Sequence, residues 1–317
     1  MYIGIDLGGT NIAGGLVNDE GVIVMKKSVP TLTERGSEAV IEDIAHVIQM
    51  LIDANTSNQK PIAVGIGIPG VSDPITGDVP VCINLNWYNV PLRRRLQEQI
   101  DLPIFIDNDA TVAGVAEFEI AQEGRYKNAV LLTLGTGIGS GIMIDGKMVS
   151  GHHGIGSEFG HTIVGENFYT CNCGHNGCLE TFSSSTAIIK YMRHRINDEG
   201  AQSDVVAMAD GNTANINGEM IFKAAMNGDL LAVETIDRLV KYLAIGMINL
   251  VATLDPEIIL LGGGLSMAGD FLLNKVVAAL HELKYYKALP IAKVAIAKLR
   301  NDAGIAGAAM YAKLHMA

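Results

Sequence analysis

Three thiols, four imidazoles and three carboxylates crowd the stretch Gly151 to Glu180, GHHGIGSEFGHTIVGENFYTCNCGHNGCLE. Cys171, Cys173 and Cys178 form a C-x-C-x4-C spacing with glycines between them. Thiolates so close together on a flexible backbone point to a tetrahedral zinc site, which needs one more ligand. His161 or His175 can supply it. His161 is the stronger choice, because a ring bound through one nitrogen offers the other to a neighbour, so one metal would orient both His161 and Glu158. His175 would instead complete a self-contained knuckle. The bland alternative is three buried thiols in a Gly-rich loop.

A second kind of chemistry is written in glycine and threonine. Residues 2–7 read as a strand that bends at Asp6-Leu7-Gly8-Gly9-Thr10-Asn11 and resumes to Val17, followed by a turn and a third strand. Glycines let a backbone approach a phosphate closely, and successive amides form an anion-binding nest. One such hairpin is a weak signal. The pattern returns in AVLLTLGTGIGSGIMIDGKMV at 129–149, with Thr136 and Gly137 at the bend. Two copies predict a duplicated domain whose halves each present a phosphate-facing hairpin, with a nucleotide between them. Gly262-Gly263-Gly264 ends a strand over 258–261 and would let the chain pass close to a flat ring, or simply turn.

The positioning elements follow from pattern. Ser37–Ile52 is an amphipathic helix with Ser37 as its N-cap. Pro91–Ile100 reads as a helix with proline in its first turn. Ile104–Ile106 is a buried strand running into Asp107-Asn108-Asp109 and a helix to about Gly124, which puts Asp109 where open sheets bind ligands. Asp109 is also a natural helix cap, and capping is the leading local reading. Gly65, Gly67 and Gly70 match G-x-G-x-x-G, but prolines and turn residues follow instead of a helix, so a dinucleotide site is rejected. Helices are expected over 186–196, 220–227, 230–254 and 302–315, with a polar, looped segment over 204–218.

Composition sets the limits. The 317 residues suit two domains, and 49% apolar with 18% charged residues describe a packed globular protein. A net charge of −11 argues against a nucleic-acid backbone as partner. Four cysteines make no disulfide framework, and Cys82 stands apart as a small core residue. The start, MYIGIDLGG, shows no charged region leading into an apolar run, and 242–254 is too short to span a bilayer. The expectation is a cytoplasmic protein with no membrane partner.

With these residues laid out, the chain resembles the ROK family (repressors, open reading frames, kinases) over essentially its whole length. DLGGTN at 6–11 is similar to the family's first phosphate motif and LTLGTGIGSG at 132–141 to the second. LGGGLS at 261–266 resembles its adenosine motif, and GSEFGH at 156–161 with CNCGHNGCLE at 171–180 its zinc-bearing signature. The resemblance implies an α/β protein with the two-domain actin-like ATPase fold shared with hexokinase, built from duplicated βββαβα cores around a cleft. It places the first domain at 1–110 with the helix at about 302–317 packing back, and the second at 111–301 with a zinc-binding insertion at 151–180.

The resemblance also implies an activity, closest to bacterial ATP-dependent glucokinases. Asp109 becomes the base that takes the proton of the sugar's 6-hydroxyl. Asn108, Asp109, Glu158, His161 and Glu180 bind the sugar. Asp6, Gly8, Gly9, Thr10, Asn11, Thr136, Gly137, Gly262, Gly263 and Gly264 hold ATP and Mg²⁺. His161, Cys171, Cys173 and Cys178 hold structural Zn²⁺. A homodimer or homotetramer is implied. Departures are modest: Asp107 and Thr111 where Glu and Asn are frequent, Ser157 where Gly is, and His175 where Arg is. Other hexoses, N-acetylmannosamine and N-acetylglucosamine among them, remain alternatives. A sugar-responsive repressor would require a basic helix-turn-helix ahead of the first motif.

Overall fold

Alternating apolar residues in a chain opening YIGIDL produce a strand whose side chains are almost all buried, and the first sheet grows from it. The computed structural model describes residues 1–299 and 302–316. Strand β1 (Tyr2–Leu7) pairs antiparallel with β2 (Asn11–Val17), and β2 with β3 (Ile23–Pro30). The helix α1 (Ser37–Ala54) buries Val40, Ile41, Ile44, Val47, Ile48 and Leu51, a stripe at helical spacing. Its cap is Gly36 rather than the expected Ser37, which is already helical. Gly36 turns the chain with a positive φ of 83° and no side chain caps the end.

The strand β4 (Val64–Ile68) follows, fully buried and parallel to β1. The short pair β5 (Val79–Cys82) and β6 (Trp87–Val90) comes next, then α2 (Leu92–Gln97), shorter than the expected 91–100 because the last turn does not stay helical. Strand β7 (Ile104–Asn108) is parallel to β4 and leads directly into α3 (Asp109–Val115), which passes into a π-helical turn at 116–121. The first sheet therefore runs β3-β2-β1-β4-β7. Gly65, one of the rejected dinucleotide glycines, serves packing. A Cβ there would stand 1.7 Å from the Ala308 carbonyl oxygen, and one at Gly4 1.9 Å from that of Ile305. The final helix can lie on the sheet only because both positions are bare.

The second sheet repeats the order: β8 (Ala129–Leu134), β9 (Ile138–Ile144), β10 (Lys147–Met148), β11 (Ile258–Gly262) and β12 (Lys293–Ile296) are arranged β10-β9-β8-β11-β12. As in the first sheet, the fourth strand in this series is parallel to the first, here β11 to β8. The insertion between β10 and β11 supplies α4 (Glu180–Ser183), α5 (Ser185–Asn197), α6 (Val205–Met208), α7 (Gly218–Met226) and α8 (Leu230–Leu254). The helix α9 (Asp270–Glu282) separates β11 from β12, and α10 (Ala303–Met316) ends the described chain. Strand β12 and the turn of helix α6 were not expected from pattern. No described helix is long and apolar enough to cross a membrane.

The chain divides into two compact units. The first holds Met1–Lys127, Gly141–Ser157 and the chain from Lys298, and the second holds Asn128–Ser140 and Glu158–Ala297. The expected cut after residue 110 is corrected: it would fall inside α3, which packs on α10 and β4 and so cannot leave the first unit. The expected cut at 301 lies outside the described residues. Where the chain re-enters the first unit, the buried Glu117 carboxylate accepts the backbone amides of Lys298 (3.0 Å) and Leu299 (2.6 Å), satisfying two donors with one charge.

Candidate active site

In the first unit the β1–β2 bend carries DLGGTN. The turn closes through Gly8 N–H to the Asn11 carbonyl (2.9 Å). Thr31, at the end of β3, grips it twice, donating its hydroxyl to the Gly8 carbonyl (2.8 Å) and its amide to that of Thr10 (2.8 Å). Gly9, Thr10 and Asn11 are left exposed at the tip. Asp6 sits just behind, against the first turn of α10, where a Cβ on Gly304 would come within 2.4 Å of its carboxylate. Burial pushes the Asp6 carboxyl up.

The end of β7 divides its three polar residues among three tasks. Asn108, not Asp109, caps α3: its Oδ1 accepts the amides of Ala110 (2.9 Å) and Thr111 (3.4 Å), and its Nδ2 donates to the Gly70 carbonyl (3.2 Å). The capping role expected of Asp109 is thus taken by its neighbour, because the strand-like ψ of Asn108 (144°) is the geometry that caps require. Asp109 becomes the first residue of the helix, with Oδ1 accepting from Ala110 (2.8 Å). The buried Asp107 accepts the Ser150 hydroxyl (2.7 Å) and its neighbour's amide (2.7 Å).

Tyr311 of α10 also donates to Asp107. Burial, and then the Asp107 charge, push its phenol up. Sequence reasoning missed this network, in which Asp107 passed as a modest change from Glu. The one available signal was an acidic residue inside an apolar strand. Cys82 is buried as expected, its thiol donating to the Pro69 carbonyl (3.3 Å). Burial, reinforced by the Asp109 charge, pushes it up to about 11.

In the second unit the structure gathers the remaining motifs. The bend after β8 closes through Gly135 N–H to the Gly137 carbonyl (3.0 Å), with Thr136 exposed at its tip. Beside it runs the Gly262-Gly263-Gly264 turn. Gly263 has φ 77° and lies so near the end of β8 that a Cβ would be 2.6 Å from the Leu134 carbonyl oxygen. The ligand atoms of His161, Cys171, Cys173 and Cys178 lie within 4.8 Å of one another. His175 stays outside this group, although its Nδ1 is 3.7 Å from Cys173 Sγ. His161 turns Nδ1 toward Cys171 Sγ (3.7 Å) and Nε2 toward Glu158 Oε2 (4.0 Å), the two-sided arrangement expected of a ligand that also orients a neighbour.

These four residues fit zinc. Metal–sulfur bonds of about 2.3 Å give tetrahedral sulfur–sulfur edges of about 3.8 Å, and Cys173 and Cys178 are 3.5 Å apart. Without a cation the thiols resist ionising together. Burial pushes Cys171 up, and burial with the neighbouring thiols pushes Cys178 up to about 12. At Cys173 burial is outweighed by the His175 amide and ring and by the other thiols, which bring it down to about 6. A divalent cation removes that conflict. Burial pushes the Glu158 carboxyl up, Glu180 adds to this and His161 opposes it.

Two five-stranded sheets of the same strand order, each presenting a glycine–threonine bend, define an actin-like ATPase fold. The ROK family model matches residues 2–315, and the chain belongs to the ROK family. It is 34% identical to a glucokinase of Streptomyces coelicolor, covering 99% of this chain and 98% of that protein. It is 36% identical to a glucokinase of Thermotoga maritima, covering 98% and 96%. The crystal structure of a ROK family glucokinase from Streptomyces griseus in complex with glucose and AMPPNP superposes with a TM-score of 0.83, at 31% identity and 99% coverage of both chains.

Proposed function

We propose that this ROK sugar kinase transfers the γ-phosphoryl group of ATP to the 6-hydroxyl of D-glucose, with Asp109 as the base. The observation that carries the reading is the division of labour at the end of β7: Asn108 takes the cap, and Asp109 is placed at the junction of a buried strand and a helix. Its carboxylate accepts the proton of the sugar hydroxyl as that oxygen attacks phosphorus in line, and the bridging oxygen leaves with ADP. Mg²⁺, when bound with ATP, neutralises charge developing on the phosphate oxygens.

Thr10 and Thr136 direct hydroxyls to those oxygens, and the amides of Gly9, Asn11 and Gly137 complete the two nests. Gly8, its own amide spent on closing the first bend, lets that bend approach the phosphates, and the flat face of Gly262-Gly263-Gly264 lies along the adenine. Asp6 meets the metal–phosphate group. Glu158, His161 and Glu180 hold sugar hydroxyls, joined by Asn108. Because its Oδ1 already accepts two amides and one Nδ2 hydrogen goes to Gly70, Asn108 addresses the sugar mainly as a donor. His161, Cys171, Cys173 and Cys178 hold a structural Zn²⁺. The assembly is a homodimer or homotetramer, which light scattering checks.

The test is ADP release from Mg-ATP with glucose, mannose, fructose, N-acetylglucosamine, N-acetylmannosamine and no sugar, run beside Asp109→Ala. Glucose should dominate, and the variant should lose about 100- to 10,000-fold in kcat. Dominant turnover of an acetamido sugar would overturn the glucose assignment while keeping the base. An undiminished Asp109→Ala variant would overturn the base. Silence on every sugar from a folded, zinc-loaded protein would favour a non-catalytic sugar sensor.

A further inference from the structure

The turn between β8 and β9 is held from two sides by residues that adjoin the His161/Cys171/Cys173/Cys178 cluster. The Ile138 amide donates to Glu180 Oε2 at 3.0 Å. Glu180 follows Cys178 by two residues, and its other oxygen lies 3.6 Å from Cys171 Sγ. At the next peptide along, Gly160, the neighbour of His161, is pressed against the Ile138 carbonyl, where a Cβ would stand 2.1 Å from the oxygen. Further stitches run from the Ser185 amide to the Gly135 carbonyl (2.8 Å) and from the Phe159 amide to Ser140 Oγ (3.2 Å). Gly137 is bare where the carboxylate crosses the turn, since a Cβ would be 2.0 Å from Glu180 Oε2. All of these residues belong to the second unit.

We propose that Glu180 is a positioning residue of the Gly135–Ile138 turn, and that through it the thiol–imidazole cluster sets the affinity of that turn for nucleotide phosphates. The proposal rests on the reading above that this turn meets the phosphates and that the cluster holds zinc. An amide nest binds an anion well only when its donors are already aimed, because the entropy of ordering them is then spent in folding rather than in binding. The Ile138 amide is taken by Glu180 and is not itself a donor of the nest. A charged acceptor there fixes the Gly137–Ile138 peptide plane, and with it the aim of the neighbouring Gly137 amide, more firmly than a neutral one. Loss of the metal releases Cys171 and Cys178, the Glu180 carboxylate shifts, and the turn loosens. This role is separate from any contact Glu180 makes with a sugar, and it is present with no sugar bound.

The experiment measures the dissociation constant of Mg-ADP without sugar for the zinc-loaded wild type, Glu180→Gln, Glu180→Ala, Gly137→Ala and Thr136→Ala. Zinc content and the hydrogen-exchange rate of the Ile138 amide are followed alongside. Glu180→Ala should weaken Mg-ADP about tenfold, the loss expected for one charge-assisted hydrogen bond, and speed exchange at Ile138. Glu180→Gln, which keeps an acceptor, should restore most of both. Gly137→Ala, which displaces the carboxylate without removing it, should reproduce the faster exchange. Chelating zinc from the wild type should weaken Mg-ADP in the same direction and add little in Glu180→Ala.

Unchanged Mg-ADP affinity and Ile138 exchange in Glu180→Ala, with only sugar binding weakened, would overturn the proposal and leave Glu180 a sugar ligand. If Thr136→Ala also binds Mg-ADP as the wild type does, the turn is not a phosphate site, and the underlying reading fails with the proposal.

Discussion

The two hairpins share a strand order and a vocabulary of glycine and threonine, yet they are held in different ways. The first is closed by its own turn and by Thr31 on the next strand of the same meander, within about two dozen residues of sequence. The second is held by Glu180, Gly160 and Ser185, which come from the cysteine-bearing insertion and the helices that follow it. Duplicated topology has not produced duplicated support. A local clamp is as stable as its own sheet, whereas a clamp supplied by an insertion inherits whatever controls the insertion. The first hairpin should therefore ignore the metal and the second should feel it.

The comparison breaks most sharply at the insertion. Cys173→Ser should abolish stoichiometric zinc, lower the melting temperature by several degrees or more and raise the KM for both glucose and ATP. Metal analysis with calorimetry checks this, and unchanged zinc content with unchanged KM values would remove the cluster from the account.

Next in size is Tyr311→Phe, which takes one donor from the buried Asp107 of the first unit. A loss of about 1–2 kcal/mol is expected, with kcat lowered several-fold, KM values nearly constant and zinc content untouched. A fall in bound zinc would show that the two regions are not independent.

Thr31→Val sharpens the contrast further, since it removes only the hydroxyl that grips Gly8. Mg-ADP should bind a few-fold more weakly, and zinc chelation should then add its full separate effect, the reverse of its silence in Glu180→Ala.

The smallest effect concerns pH. Burial raises the Asp6 carboxyl above its ordinary value of 3.8, so in the folded state the ionised form is the disfavoured one. Its contribution to stability is present below 3.8 and is lost as pH rises through the higher folded value. Asp6→Asn should remove that loss, raising the ligand-free melting temperature at neutral pH by about 2 °C while activity falls. A lower melting temperature at neutral pH would mean that the charge is already compensated.

Much of this could be read from the sequence because the signals are local. A strand pattern broken by DLGGTN, its return at 129–149 and a C-x-C-x4-C run each lie within a few residues, and backbone stereochemistry and ligand spacing act over that range. Those stretches determined two α/β halves, two phosphate-type bends and a thiol cluster. Tertiary structure alone decided which histidine joins the thiols, since His161 and His175 have the same chemistry and only folding brings one within reach of all three sulfurs. It decided that Asn108 caps α3, because Asn and Asp are equally good caps by type and only the folded backbone angle chooses between Asn108 and Asp109. It joined Tyr311 to Asp107 and Glu180 to Ile138, pairs far apart along the chain that meet only when packing brings their elements together. It also set the boundary between the units beyond α3, because that helix is held by α10, a segment that pattern along the chain cannot connect to it.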